Sequence, residues 1–311
     1  MSRALFLINP TATRTTARTR DVLMRAFAHD LSLEVAETRH RGHAARLARA
    51  AASRGQRLVI VLGGDGTVNE TINGLLADGP SPDVPALAVI PGGSTNVFAR
   101  ALGLPRDPVE AAGASLDALR AGSLRRVGLG RADERYFTFC AGLGFDAEVV
   151  RAVEGLRASG YRSTPSLYFR TALRHFFAVT DRRTPPLSME TGGRMLDGLF
   201  LGVVSNTSPW TYLGDHPVDP NPRASFDDGL DVFVMRRLGT ATTIDLVRQF
   251  LTPDGRLPRS RHGASLHDLD ELAIGASHPV AFQVDGDYLG EREVVRFRAV
   301  RDALRVVVPP G

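Results

Sequence analysis

Short apolar runs alternate with stretches of helical spacing through the first third of the chain. Ala4–Ile8 is continuously apolar and stops at Asn9-Pro10, which predicts a buried strand. Thr16–His29 has helical spacing, Leu33–Glu37 reads as a second strand, and Ala44–Ser53 as an Ala/Arg helix ended by Gly55. Leu58–Leu62 predicts a third strand running into Gly63-Gly64-Asp65-Gly66, and Val68–Leu76 returns to helical periodicity. Ala86–Ile90 predicts a fourth strand. Pro91-Gly92-Gly93-Ser94-Thr95-Asn96 follows, then helices near Val97–Leu102 and over Pro108–Ala121. This alternation implies a parallel sheet with helices on both faces. Ligands of such sheets bind beyond the carboxyl ends of the strands. Three loops fall there: Asn9–Thr13, Gly63–Thr67 and Pro91–Asn96.

The pattern changes after about Gly122. Tyr136–Ala141, Leu199–Ser205, Leu230–Met235, Glu271–Ile274 and Val280–Val284 are short β-rich segments separated by turn residues, as in an antiparallel sandwich or barrel. Thr240–Leu251 is a helix within this half, and Asp302–Val308 is a late strand open to packing against either domain. The 311 residues therefore predict two domains, 1–122 and 123–311.

Composition changes this picture little. Hydrophobic residues make up 43% and charged residues 23%, ordinary for a globular chain. The net charge of +4 suits anionic partners such as nucleotide phosphates or acidic head groups without demanding them. No Lys/Arg tract is interleaved with stacking aromatics, which argues against nucleic acid as a partner. The single cysteine, Cys140, lies among Phe137, Phe139 and Ala141 and reads as a core residue; it excludes an internal disulfide, in keeping with a cytoplasmic setting. The start of the chain predicts no signal peptide, and no apolar stretch reaches the ~18 residues of a membrane span. Membrane contact is then peripheral, at the inner face. Arg157–Arg183, with Tyr161, Tyr168, Phe169, Phe176 and Phe177 among arginines, suits either such an interface or an amphipathic helix on the sandwich.

The chemistry concentrates in Gly63-Gly64-Asp65-Gly66-Thr67. Glycines let a backbone approach phosphates and present N–H groups, and the helix that follows adds a favourable dipole. A tight turn needs fewer glycines than this and no central Asp. The loop lacks the Gly-Lys-Ser/Thr of a Walker A motif and is not a GxGxxG fingerprint.

Gly63–Leu75, GGDGTVNETINGL, resembles the nucleotide-binding motif of the diacylglycerol kinase catalytic domain family, which includes bacterial lipid kinases and sphingosine kinase-like proteins. GGDGT alone is shared with NAD kinases; the extension through Asn69, Glu70, Asn73 and Gly74 is closer to the lipid kinases. Four more segments match in order: Asn9-Pro10; Pro91–Arg100, PGGSTNVFAR; Gly142–Asp146, GLGFD; and Phe226–Val232 with Asp285-Gly286-Asp287. The resemblance spans essentially the whole chain. It implies an ATP-binding α/β domain followed by a β-sandwich domain that takes the lipid, with the active site between them, and an ATP-dependent kinase for the hydroxyl of diacylglycerol or a similar lipid at a membrane surface. A soluble-metabolite kinase related to NAD kinase and a weakened lipid-binding protein are the alternatives. The oligomeric state is left open, a homodimer included.

Residue by residue, the resemblance implies that Asn9, Pro10, Thr11, Ala12, Thr13, Thr38, Gly64, Asp65, Gly66, Thr67, Val68, Asn69, Glu70 and Ser94 surround ATP. Asp65 would also organise Mg²⁺ at the phosphates, an ion that favours carboxylate, water and phosphate oxygens. Asp228, with Ser225 and Leu230 supplying backbone carbonyls, would hold a structural Mg²⁺; as a bare pattern Asp227-Asp228-Gly229 is a turn. The catalytic base is implied within Asp285-Gly286-Asp287, either Asp285 or Asp287, although Asp-Gly is also a hairpin signal. If this stretch were extended, the two carboxylates would point the same way; a hairpin would break that relation.

The chain departs from the family pattern at Ser94 (usually Thr), Val97 (usually Asp), Gly128 (Asp in many relatives) and Asp287 (usually Glu). Val97 removes a carboxylate and with it a helix-capping or ligand role, and Gly128 removes one that joins the magnesium–water network, weakening the metal site or leaving the network to Asp65 and waters. His40 and His43 invite a metal-pair reading, but a spacing of three without a carboxylate favours solvated or capping roles. Trp210 and Tyr212 read as core or cleft wall.

Overall fold

A computed structural model describes residues 3–158, 171, 184–252 and 255–309 of the protein. Most of Arg157–Arg183, the stretch that suits an interface or an amphipathic helix, lies outside the described residues. The chain divides into two compact units, Met1–Gly128 with Asp302–Gly311, and Leu129–Arg301.

The first unit is an α/β layer structure. Strands β1 (Arg3–Ile8), β2 (Ser32–Glu37), β3 (Leu58–Gly63) and β4 (Ala86–Pro91) pair in parallel in the order β4-β3-β1-β2. Every residue of β3 and β4 is buried, as the continuous apolar runs require of strands covered on both faces. β2 lies at the edge and is mostly exposed. Helices α1 (Ala17–Asp30), α2 (His43–Ser53), α3 (Asp65–Leu75), α4 (Val97–Ala101) and α5 (Pro108–Ala121) link the strands or follow them. The core joins Phe6, Ile8, Ile60, Leu62 and Ile90 to Leu23 and Phe27 of α1. Asp107 caps α5, accepting from the N–H groups of Val109 and Glu110, and Gly122 ends it in the left-handed region, which explains the break in pattern there.

The second unit is strand-rich. It contains β5 (Leu124–Ala132, which enters it at Leu129), β6 (Arg135–Phe137), β7 (Cys140–Gly144), α6 (Phe145–Ala158), β8 (Leu187–Thr191), β9 (Arg194–Leu199) and β10 (Leu201–Ser205). The small hairpin β11 (Thr211–Leu213) and β12 (His216–Val218) precedes β13 (Leu230–Met235), α7 (Thr240–Phe250), β14 (Gly263–Leu269), β15 (Glu271–Val284) and β16 (Asp287–Val307). Antiparallel pairing runs β14-β13-β10-β7-β15-β16, and the first half of β15 pairs with β8 instead of β7. Leu143, Val204, Val232, Ile274, Phe282 and Phe297 share one core. Trp210 packs with Phe145 and Phe250 against a second cluster around Phe233 and Leu246, so it supports the core. Cys140 is a buried free thiol that accepts from the Gln283 amide.

β16 is far longer than the expected Asp302–Val308. Its first part belongs to the second unit. From Asp302, at φ 50°, it passes into the first unit, where Val306 pairs in parallel with Leu87 of β4.

Candidate functional site

Three loops leave the carboxyl ends of β1, β3 and β4 side by side. The strand order reverses between β1 and β3, since β1 leads outward to β2 and the chain then returns to β1's other side. That switch point opens a crevice in doubly wound sheets. Here the Asn9 amide donates to the Thr67 hydroxyl at 2.8 Å, joining the first loop to the second, while the Asn9 side-chain carbonyl oxygen accepts from the N–H and hydroxyl of Thr11. The Gly92 N–H donates to the Gly63 carbonyl at 2.7 Å, and the Arg14 N–H to the Gly92 carbonyl at 2.8 Å. Gly64 and Gly93 meet backbone to backbone: a Cβ on Gly93 would stand 2.6 Å from the Gly64 α-carbon. Glycine is required there by proximity. The Thr38 N–H donates to the Ile8 carbonyl, which brings the end of β2 beside the first loop.

α3 begins directly at this junction, with Gly64 as N-cap and no side chain capping it. Its first-turn N–H groups form the kind of positive end that receives phosphate. Asp65 is its first residue, and one carboxylate oxygen accepts from the Phe98 N–H at 3.3 Å, tying α4 to the loop. Gly64, Asp65 and Gly66 are half-buried and Ser94 is exposed. Pro10, Thr11 and Thr13 are exposed, Ala12 half-buried.

Three expected nucleotide contacts turn inward. The Val68 and Asn69 side chains are buried, and Asn69 accepts from the Asn73 amide through both its backbone and side-chain oxygens. Glu70 accepts from the N–H groups of Gly42 and Ala44 at 2.7 and 3.3 Å, so its carboxylate serves the N-terminus of α2. A carboxylate there is favoured by the helix dipole. Gly74 has a comparable structural reason: a Cβ would lie 2.1 Å from the Ala45 carbonyl oxygen, so only glycine lets α3 approach α2 so closely. Val97 is buried as the first residue of α4. His40 and His43 stack on each other, His40 engages Arg46 and the Arg41 carbonyl, and His43 accepts from the Arg39 N–H. Burial, followed by the neighbouring cations, pushes the His43 imidazole below its ordinary value. These are local capping contacts.

In the second unit, Asp285-Gly286 is a two-residue hairpin turn between β15 and β16, with φ of 49° and 78°. Both central residues are left-handed, as a type I′ turn requires. The extended relation between Asp285 and Asp287 therefore does not hold. The Asp285 carboxylate is buried and accepts four hydrogen bonds, two at each oxygen. The N–H and hydroxyl of Thr138 reach one oxygen at 2.8 Å each; the N–H groups of Phe139 and Cys140 reach the other at 3.0 and 3.1 Å. Taking up a proton would break part of this set, so Asp285 is built as an acceptor for Thr138–Cys140. The Asn206 amide holds the same segment through the Thr138 carbonyl. Asp287, at the start of β16, is half-buried.

A second carboxylate group lies at the Phe226–Val232 turn. The Ser225 hydroxyl bonds the Asp228 carboxylate at 2.7 Å, and the Asp228 N–H reaches back to the Ser225 carbonyl. Asp231 is buried and accepts from His267 and from the Asp268 N–H; burial pushes its carboxyl above the usual carboxylate range, against the effect of those bonds. Leu230 is buried at the start of β13. For Mg²⁺ the fit is chemical. Asp228 and the carbonyls of Ser225 and Leu230 are all hard oxygen donors clustered at one turn, the class that ion selects. Among the described residues no three His, Cys, Asp or Glu side chains stand together to hold a metal. Mg²⁺ at this turn or at Asp65 would be completed by backbone, water or phosphate oxygens.

Residues 3–132 match the family model of the diacylglycerol kinase catalytic domain. The diacylglycerol kinase of Bacillus subtilis (strain 168) is 28% identical over 300 residues, covering 93% of this chain and 91% of that one. A Chromohalobacter salexigens protein named as a probable lipid kinase YegS-like is 40% identical over 129 residues, 42% of this chain and 39% of that protein. A crystal structure of a diacylglycerol kinase from Bacillus anthracis superposes with a TM-score of 0.71 at 22% identity, covering 99% of this chain and 97% of the other.

Proposed function

We propose that the chain, whose residues 3–132 match the model of the diacylglycerol kinase catalytic domain, is a phosphotransferase with an alcohol acceptor and, more closely, an ATP-dependent lipid kinase that phosphorylates the hydroxyl of diacylglycerol or a similar lipid at a membrane surface. The observation that carries the reading is the junction of the three loops at the switch point, where closely packed glycine backbones adjoin an uncapped helix start of the kind that receives phosphate. ATP phosphates rest on Gly64–Thr67, with Asn9–Thr13, Thr38 and Ser94 around the nucleotide. Asp65 would hold Mg²⁺ beside the phosphates, where the ion would supply positive charge to the transferring group. A structural Mg²⁺ at Ser225, Asp228 and Leu230 stiffens the β13 turn.

The second unit supplies the acceptor site and the base. Asp287 takes the proton of the acceptor hydroxyl, because the Asp285 carboxylate is already saturated by Thr138–Cys140. Among the described residues no helix is long and apolar enough to cross a membrane, and contact with the lipid surface is peripheral in this reading.

Incubation with labelled ATP and a total lipid extract tests the proposal. The expected result is a labelled phospholipid whose formation requires Mg²⁺ and nearly disappears in Asp65→Asn, with the fold intact by circular dichroism. A labelled water-soluble product instead, or undiminished turnover in Asp65→Asn, defeats the assignment.

A further inference from the structure

Helix α6 grips the strand that carries Asp287, and the proposed chemistry gives that grip no task. α6 leaves β7 directly at Gly144 and packs on β7 and β15, with Val149, Val150 and Val153 buried. Arg151 and Glu154 stand one helical turn apart on the side that reaches β16. Arg151 pairs with Glu291 at 3.0 Å, and its guanidinium lies 5.8 Å from the centre of the Tyr288 ring. Glu154, half-buried, accepts from the Tyr288 N–H at 3.1 Å. Between Tyr288 and Glu291, Leu289 and Gly290 face the single residue Phe282 of β15, a bulge with Gly290 at φ 89°. α6 thus takes hold of β16 on both sides of an irregularity, close to the hairpin turn.

The geometry of the hairpin explains why the Tyr288 N–H needs an outside partner. In a two-residue hairpin the residues flanking the turn, here Val284 and Asp287, face each other as a hydrogen-bonded pair. The next pair, Gln283 and Tyr288, turns its N–H groups away from the ladder. Gln283 is met on that side by β7, opposite Gly142. At Tyr288 a helix side chain takes the place of a strand. The N–H that Glu154 holds belongs to the peptide group that begins at the Asp287 carbonyl. That group is planar, so fixing it fixes the ψ of Asp287. Gln283 steadies the turn itself: its side-chain oxygen accepts from the Gly286 N–H at 3.0 Å, and its amide donates to the Cys140 sulfur at 3.7 Å. The main chain on both flanks of Asp287 is thereby held within the second unit.

We propose that Glu154 is a positioning residue for Asp287, acting through the Tyr288 peptide group. The proposal rests on Asp287 as the base of the lipid-kinase reading. Phosphate transfer from labelled ATP to a total lipid extract, with the full chain, is measured beside amide exchange at Tyr288. Glu154→Ala is expected to lower turnover by ~10–100-fold, the scale of loss when a reacting group is misplaced by about 1 Å. The KM for ATP should stay within about twofold of the parent, and exchange at Tyr288 should speed up by about tenfold. Glu154→Gln keeps an acceptor oxygen and should bring turnover and exchange back to within about threefold of the parent. In the Asp287→Asn background the loss should vanish: Glu154→Ala then changes turnover by less than about twofold, because a base that is gone needs no placing. A merely structural Glu154 would cost the same factor in both backgrounds. Melting curves check the fold, and Glu154→Met, which keeps the length of the stem without the acceptor, replaces Glu154→Ala if that variant does not fold. Parent-level turnover without the acceptor, equal losses with and without the Asp287 carboxylate, or unchanged exchange at Tyr288 overturns the positioning role. A parent that transfers phosphate to no lipid sinks the kinase reading itself, and exchange at Tyr288 then still decides whether Glu154 anchors β16.

Discussion

Asp285 and Asp287 share a motif but not an environment. Among the described residues, four donors from Thr138–Cys140 converge on the Asp285 carboxylate. Exchanging it for the isosteric amide turns two acceptor positions into N–H donors facing N–H donors, and buried donors left unpaired cost about 1–3 kcal/mol each. Asp285→Asn should therefore lower the melting temperature by several degrees, at roughly 2–4 °C per kcal/mol, and lose activity as a consequence of fold. Asp287→Asn should leave the melting curve nearly unchanged and reduce kcat by ~10²–10⁴-fold, with ATP affinity retained, because general-base loss acts on the acceptor alone. Thermal scans paired with steady-state kinetics separate the two; equal thermal losses in both variants contradict this division of roles. None of it could be read from the chain, since the donors of Asp285 lie 145 to 147 residues away in sequence.

At the scale of elements, β1, β3 and β4 were legible because each carries an unbroken apolar run that is buried as such, while the edge strand β2 is mostly exposed. The three loops were legible because turns and phosphate sites draw on the same small residues. Two kinds of element escaped. β16 alternates arginine and acid with apolar residues, and half of that pattern faces solvent, so no apolar run marks it. Helix α6, which follows directly from the GLGFD segment, is hidden because its first residues belong to a recognisable motif. The capping role of Glu70 is hidden for a related reason: its partners belong to another helix, 26 and 28 residues away. That role predicts that Glu70→Ala destabilises the first unit by about 1 kcal/mol, the usual worth of a helix cap, with nucleotide affinity little changed. Calorimetric titration with an ATP analogue beside a melting curve decides it; a large affinity loss at constant stability returns Glu70 to the nucleotide.

For the molecule as a whole, the turn at Ser225–Asp228 offers a test of ion linkage. A cation that binds only the folded state raises its stability by mass action. Melting in excess Mg²⁺ and in chelator should differ for the parent, and Asp228→Ala should remove most of that difference. Identical shifts under both conditions would leave Asp228 as a turn residue closed on the Ser225 hydroxyl. The route of β16 carries a further consequence for how the chain is made. β4 has β3 on one side and, on the other, a strand segment that begins at Asp302. A ribosome delivers Leu129–Arg301 before that segment exists. Until then the nascent first unit holds an all-apolar strand with an open hydrogen-bonding edge, the type of surface that recruits other chains. Its completion waits on the synthesis of the second unit, and a gene fragment ending at residue 132, where the family match stops, would encode a sheet that never receives its last strand.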